Sequence, residues 1–120
     1  MSRESARVSP VHERLAALGA RFVERNGMAL AASIGESDAS LAETIGIIDL
    51  SYRYKTGFKG GNAPGWVQSH ELVLPQSNRW NETNEGALLA RLANSEFFIE
   101  DSDRTELCRR IDAALRQRPD

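Results

Sequence analysis

The sequence has very few residues of the kinds that build redox or metal sites. Cys108 is the only cysteine among 120 residues, which excludes an intramolecular disulfide and fits a reducing compartment. The two histidines, His12 and His70, lie far apart in the sequence, and neither stands at metal-ligand spacing from another histidine, a cysteine or a carboxylate. We therefore predict no metal site and no catalytic residues, and we place Cys108 in the core.

Long apolar runs and an excess of one charge are also missing. No window of about 18 apolar residues occurs, which argues against a transmembrane helix, and the start MSRESARVSP lacks the apolar core of a signal peptide. Fifteen basic and seventeen acidic residues give a net charge of −2, which offers no electrostatic footprint for nucleic acid. These absences predict a cytoplasmic protein that binds neither a membrane nor nucleic acid.

Length and composition predict a single domain. A chain of 120 residues that is 41% hydrophobic and 27% charged is ordinary for a globular protein. It has room for one core, but not for a large enclosed active site as well. Residues 1–11 are polar and lack an apolar period, so we predict a mobile tail there and one domain over residues 12–118.

Asn26-Gly27 is the strongest turn signal in the first half of the chain. Both central residues of a type I′ turn adopt positive φ, which asparagine and glycine accept, so we predict a hairpin that joins residues 21–25 to residues 28–33. The short helices predicted on either side of this hairpin span residues 12–19 and 37–46.

The clearest pattern is an alternation of apolar and polar residues from Ile48 to Lys59. A period of two predicts a long strand, or two strands with a bend, with one apolar face and one charged face. The residues predicted on the apolar face are Ile48, Leu50, Tyr52, Tyr54, Thr56 and Phe58, and Tyr52 and Tyr54 are predicted to belong to the core.

The second half of the chain predicts a hairpin and a final helix. Residues 88–92 and 96–100 form the hairpin, and the polar stretch 75–85 is predicted to be an exposed loop. The last helix is predicted to start at Ser102 or Asp103, with Glu106 as a capping-box partner, and to bury Cys108 on its apolar stripe. The fold class that follows is α+β, a mostly antiparallel sheet with helices packed against it.

Four charged residues and one tryptophan are the candidate ligand-binding or partner-binding residues. Asp49, Arg53, Lys55 and Lys59 follow one another along the polar face of the predicted strand. They form either a solvated sheet face or a surface that meets a partner chain or an anionic ligand. Trp80, in the predicted loop, is either a lid on the core or an interface anchor.

Short motifs between residues 15 and 101 follow the pattern of a known family. Residues 41–68, LAETIGIIDLSYRYKTGFKGGNAPGWVQ, place Gly-Ile-x-Asp-x-Ser after a short helix and Gly-Asn-Ala before the next one. Upstream LGARFVERNGMALAASIG is similar to the family's opening hairpin, and downstream GALLARLANSEFFIED to a strand pair. This succession resembles the front part of the glycine-cleavage T-protein (aminomethyltransferase) family, which includes the small gamma subunit of heterotetrameric sarcosine oxidase.

The resemblance implies a T-protein-like N-terminal domain that is too short to be the complete enzyme. The acidic pair that orients the folate amine in aminomethyltransferases is absent, because its place reads Glu85-Gly86-Ala87-Leu88. The resemblance thus implies a noncatalytic subunit or accessory domain of folate-linked one-carbon or amine metabolism, which binds a protein partner or a copy of itself. The alternatives are a small protein that binds tetrahydrofolate or another anionic metabolite, and a partial enzyme that gains its missing carboxylate from a partner.

Overall fold

A computed structural model describes residues 7–117, which form seven strands and four helices. Their contacts divide the chain into two compact units, Met1–Tyr52 and Arg53–Asp120, whereas the sequence predicted one domain over residues 12–118. Each unit combines helices with a largely antiparallel sheet, which confirms the predicted α+β class.

The first unit contains a three-stranded sheet with the order β1-β3-β2. β1 is parallel to β3, and β2 is antiparallel to it. Arg7 and Val8, which belong to the predicted tail, are paired in this sheet with Met28 and Ala29, and residues 1–6 lie outside the described part of the chain. The elements of this unit are β1 (Arg7–Val8), α1 (His12–Ala17), β2 (Arg21–Arg25), β3 (Met28–Ser33) and α2 (Asp38–Ala42).

The predicted hairpin between β2 and β3 is present. Asn26 and Gly27 both adopt positive φ, 50° and 71°, as a type I′ turn requires. The Asn26 side chain is used as well, because its Nδ2 donates a hydrogen bond to the backbone oxygen of Tyr52 at 3.0 Å. The turn therefore fixes both the hairpin and the end of the first unit.

The second unit contains a four-stranded antiparallel sheet with the order β4-β7-β6-β5. Both helices of this unit pack on one face of that sheet, because α3 and α4 share a core cluster with β6 and β7. The elements are β4 (Lys55–Lys59), α3 (Ala63–Ser69), β5 (Arg79–Glu82), β6 (Leu88–Ala93), β7 (Glu96–Glu100) and α4 (Leu107–Arg116). The buried residues of the cluster are Ala63, Val67, Ala87, Leu89, Phe97, Ile99, Leu107, Cys108 and Ile111.

The alternation between Ile48 and Lys59 forms a strand only in its second half. Residues 55–59 alternate between exposed and half-buried, as predicted, but residues 48–54 are not in a strand and Ile48 is 74% exposed. The reason lies in Asp49, whose Oδ1 accepts hydrogen bonds from the backbone N–H and the hydroxyl of Ser51. This local turn competes with extended structure, so residues 48–54 do not form the predicted strand, although Tyr52 of its predicted apolar face is buried.

Two further predictions in the second unit need correction. Trp80 lies in strand β5 rather than in a loop, because residues 79–82 pair with β6. Helix α4 begins at Leu107, later than predicted, and its cap is neither Ser102 nor Asp103. The carboxylate of the buried Asp101 accepts hydrogen bonds from the backbone N–H groups of Leu107 and Cys108, at 3.0 and 3.1 Å.

Candidate functional site

The structure distributes the predicted binding residues over both units. Asp49 belongs to the first unit and is engaged in the turn with Ser51. Arg53, Lys55 and the two remaining candidates, Lys59 and Trp80, belong to the second unit. The four charged residues therefore do not form the continuous line on one strand that the sequence predicted.

The three cationic candidates of the second unit lie beside carboxylates. The Arg53 guanidinium lies 3.8 Å from Glu100 and 3.8 Å from Asp103. Lys55 is the cross-strand partner of Glu100, and Lys59 that of Glu96. Neighbouring opposite charges lower the potential that these cations offer to an anionic ligand.

Trp80 lies on the sheet face opposite the core cluster. It pairs with Ala90, which pairs with Phe98, and successive side chains of a strand point to opposite faces, so Trp80 points away from Leu89 and its buried neighbours. Its side chain is 67% exposed and does not cover the core. We name this side of the sheet the open face; its residues include Trp80, Ala90, Phe98, Lys55 and Lys59.

The two lysines and Trp80 occupy opposite edges of the open face. β4 carries the lysines and β5 the tryptophan, and β7 and β6 lie between them. Three strand spacings correspond to about 14 Å, which an elongated ligand could span but a compact one could not.

A groove that sequence analysis did not find lies elsewhere in the second unit. It has a volume of about 560 Å³, within the range of ligand sites in proteins. Its floor is formed by Leu107 and Ile111, which are 1% exposed and lie one helical turn apart on α4. Arg110 of α4 also lines it. The remaining lining comes from the end of α3 and the following segment, and from β5 and its turn: Ser69, His70, Glu71, Leu72, Val73, Asn81, Glu82, Thr83, Asn84 and Glu85.

The rim of this groove carries more carboxylates than cations. Glu71, Glu82 and Glu85 line it together with Arg110. Arg110 holds Glu85 in a forked pair, with nitrogen–oxygen distances of 3.1 and 3.3 Å, so these two charges offset each other. No local sequence pattern could have indicated this groove, because its residues come together only when three separate segments pack.

Cys108 is buried in the core of the second unit, as predicted. Burial, and next the nearby Asp101 carboxylate, raise the pKa of the thiol from 9.0 to about 12. The Sγ atom lies 3.3 Å from the backbone oxygen of Tyr54 and 3.5 Å from that of Ile99, which both accept from it. A thiol that stays protonated and covered has no nucleophilic role in the folded chain.

Within residues 7–117, no three or more histidine, cysteine or acidic side chains are grouped so that they could hold a metal ion. Over the same residues, no helix is both long enough and apolar enough to span a membrane. Comparisons with protein-family models, with curated proteins and with solved structures found no match. The resemblance to the T-protein family therefore stays a prediction from the motifs.

Proposed function

We propose that this chain is a noncatalytic accessory subunit that binds a partner protein through residues 41–48 of its first unit, the apolar segment. One observation carries the proposal. Leu41, Ile45, Ile47 and Ile48 are 62%, 78%, 97% and 74% exposed. Large aliphatic side chains in such density on a surface mark interaction sites, and burying each one contributes about 1.5–3 kcal/mol.

The build of the first unit supports the same conclusion. Met28 and Tyr52 are its buried apolar residues among those that the structure describes. A three-stranded sheet with two short helices needs a covered apolar face for stability. A partner that covers the apolar segment would bury further apolar side chains of this unit, which buries few by itself.

The conformation of the apolar segment suits docking. Residues 45–50 are in neither helix nor strand, and the preceding α2 spans five residues. Such a segment adapts to a partner surface at an entropic cost, which the burial of its isoleucines offsets.

The family resemblance suggests the class of partner. The apolar segment falls within residues 41–68, the stretch whose motifs resemble the T-protein family. By that resemblance, the partner is a catalytic chain of folate-linked one-carbon or amine metabolism, as a gamma-type subunit of sarcosine oxidase would require.

Native mass spectrometry of complexes isolated from the cells of origin tests the proposal. We expect the tagged full chain to carry a partner in fixed stoichiometry, and the double substitution Ile47→Ser and Ile48→Ser to remove that partner. Leu92→Ser is the matched control, because Leu92 is 52% exposed in the second unit, and it should leave the complex intact. Recovery of the chain as a bare monomer, or equal partner recovery with the double variant, contradicts the proposal.

A second candidate, binding of tetrahydrofolate or another anionic metabolite, draws on the open face. Its supporting observation is that an exposed indole and two lysines share one sheet face, so a ring could stack on Trp80 while an anionic tail reaches Lys55 or Lys59. Tetrahydrofolate should then quench the tryptophan fluorescence of the wild type and of Trp66→Phe, but not that of Trp80→Phe. Equal quenching of both single-tryptophan variants, or none at millimolar concentration, removes this candidate.

A further inference from the structure

We infer that a second copy of this chain docks on the open face of the second unit. The inference concerns the second unit alone and is independent of partner binding by the apolar segment. It rests on the order and register of the four strands, which make this face complementary to itself in side-chain size and in charge.

Two rows of side chains cross the open face, each with one residue from β4, β7, β6 and β5. Residues that are directly paired on neighbouring strands point to the same face, so the strand pairing gives the members of each row. The central row consists of Gly57, Phe98, Ala90 and Trp80. The charged row consists of Lys55, Glu100, Leu88 and Glu82.

A two-fold axis that runs along the strands, between β7 and β6, brings two copies of this face together. The rotation lays β4 of one copy on β5 of the other, and β7 on β6, because the strands of each pair are equally far from the axis. Each side chain then meets the residue of its own row on the other side of the axis. Packed sheets lie about 10 Å apart with their strands crossing at about 30°, and this rotation permits such a crossing.

In the central row, a large side chain meets a small one throughout. Trp80 of one copy lies over Gly57 of the other, and Phe98 lies over Ala90. Large and small side chains in alternation allow two sheet faces to interdigitate. Trp80 and Gly57 are both exposed in the single chain, so both are accessible to a second copy.

Charge selects this arrangement over the other symmetric one. The axis along the strands places Lys55 of one copy opposite Glu82 of the other, twice in the dimer. An axis across the strands would lay β4 on β4, with Lys55 opposite Lys59. It would also lay β7 on β7, with Glu96 opposite Glu100. Like charges repel in that second arrangement, so the first is favoured.

The area of the face predicts a weak dimer. Four adjacent strands, measured over five residues, cover about 19 by 16 Å, which is less than the roughly 800 Å² per partner of a standard interface. We therefore expect a dissociation constant between about 10 µM and 1 mM.

The test is sedimentation equilibrium of the purified full chain at concentrations below and above that dissociation constant. We expect the wild type to dimerise, and Trp80→Ser, Lys55→Glu and Glu82→Lys each to weaken the dimer about fivefold or more. Lys59→Glu is the matched control, because it changes the net charge equally on the same strand. β5 starts at Arg79 and does not reach the row of Lys59, so the control should change the dissociation constant less than about twofold.

A mixture of the two charge variants gives the sharpest outcome. When a Lys55→Glu chain meets a Glu82→Lys chain, both interchain pairs carry opposite charges again, so mixed dimers should form with nearly the wild-type affinity. A monomer at every concentration overturns the inference and leaves the open face to a ligand or to a different chain. Failure of the mixture to dimerise also overturns it, as does a dimer that only the substitutions at Ile47 and Ile48 abolish.

Discussion

The two units of this chain differ in how many apolar side chains they bury. The second unit buries nine core residues between one face of a four-stranded sheet and two helices, whereas the first unit buries Met28 and Tyr52 as its apolar residues. Of the twelve large apolar residues exposed within the described part of the chain, nine belong to the first unit and three to the second. The comparison teaches that a sheet with good turns does not by itself bury a core, and it motivates the proposal that a partner covers part of the first unit.

The largest expected effect is the loss of a core aromatic from the second unit. Phe97 is 1% exposed and stacks on Phe58 with ring centroids 5.6 Å apart. We expect Phe97→Ala to lower the free energy of unfolding of the second unit by about 3–5 kcal/mol, because a cavity remains in a packed core. Hydrogen exchange at increasing denaturant concentration measures this free energy for the second unit separately.

The matched substitution in the first unit is Phe22→Ala. Phe22 is half-buried and packs on His12 at 4.3 Å. The substitution should lower the free energy of unfolding of the first unit by about 1 kcal/mol in the isolated chain, since folding buries only part of the Phe22 ring. If the two substitutions cost the same, the contrast between the units does not hold.

Loss of the Asp101 carboxylate should have the next largest effect. Asp101 is 2% exposed and accepts hydrogen bonds from Leu107, Cys108 and the Thr105 hydroxyl. Asp101→Ala leaves buried donors at the start of α4 without a partner, which should destabilise the second unit by about 2 kcal/mol.

Asp103→Ala is the control for Asp101→Ala, since Asp103 is a cap that the sequence predicted and the structure does not use. Its carboxylate lies 3.8 Å from Arg53 and is 44% exposed, so the change should cost no more than about 1 kcal/mol in thermal unfolding. If Asp103→Ala destabilised the second unit more than Asp101→Ala did, Asp101 would not be the residue that caps α4.

The Asn26-Gly27 turn stabilises the first unit locally, as the Asp101 cap stabilises the second. Gly27→Ala places a side chain at a φ of 71°, which should cost about 1 kcal/mol and speed amide exchange in β2 and β3. Gly35→Ala is the matched control, because the added carbon meets nothing within 4 Å there and φ is not in the left-handed region. The control should leave exchange in the hairpin unchanged.

The smallest effect at neutral pH comes from the Cys108 thiol. Its pKa rises from 9.0 to about 12 on folding, so the folded state holds a proton that the unfolded state releases. The stability of the second unit should therefore be unaffected below pH 9.0 and should fall as the pH rises from 9.0 toward 12.

Cys108→Ala identifies the thiol as the source of this dependence. The variant should lose that part of the alkaline destabilisation, as measured by denaturant unfolding at a series of pH values. An unchanged pH profile would contradict the assignment.

Signals carried by neighbouring residues predicted part of the fold. Asn26-Gly27 specified its turn, residues 55–59 alternate as their side chains indicate, and the apolar stripe of the last helix placed Cys108 in the core. Each of these depends on the backbone preference or periodicity of a short segment.

Features that depend on distant residues could not be read from the sequence. Trp80 joins a strand because β6 pairs with it, and α4 is capped by Asp101, six residues before Leu107. The groove forms only where three separate segments pack together. Ile48 was predicted to lie in a strand, and its exposure, like that of Ile47, follows from the turn that Asp49 forms with Ser51. The fold class was accordingly predicted from the sequence, whereas the groove was not.

Hydrogen exchange of the apolar segment is the most direct test of the account. Amides of residues 45–48 should exchange rapidly in the isolated full chain and become protected in the complex recovered from the cells of origin, while β6 and β7 stay protected in both. Strong protection of residues 45–48 already in the isolated chain, or no change in the complex, would contradict the claim that a partner covers the first unit there.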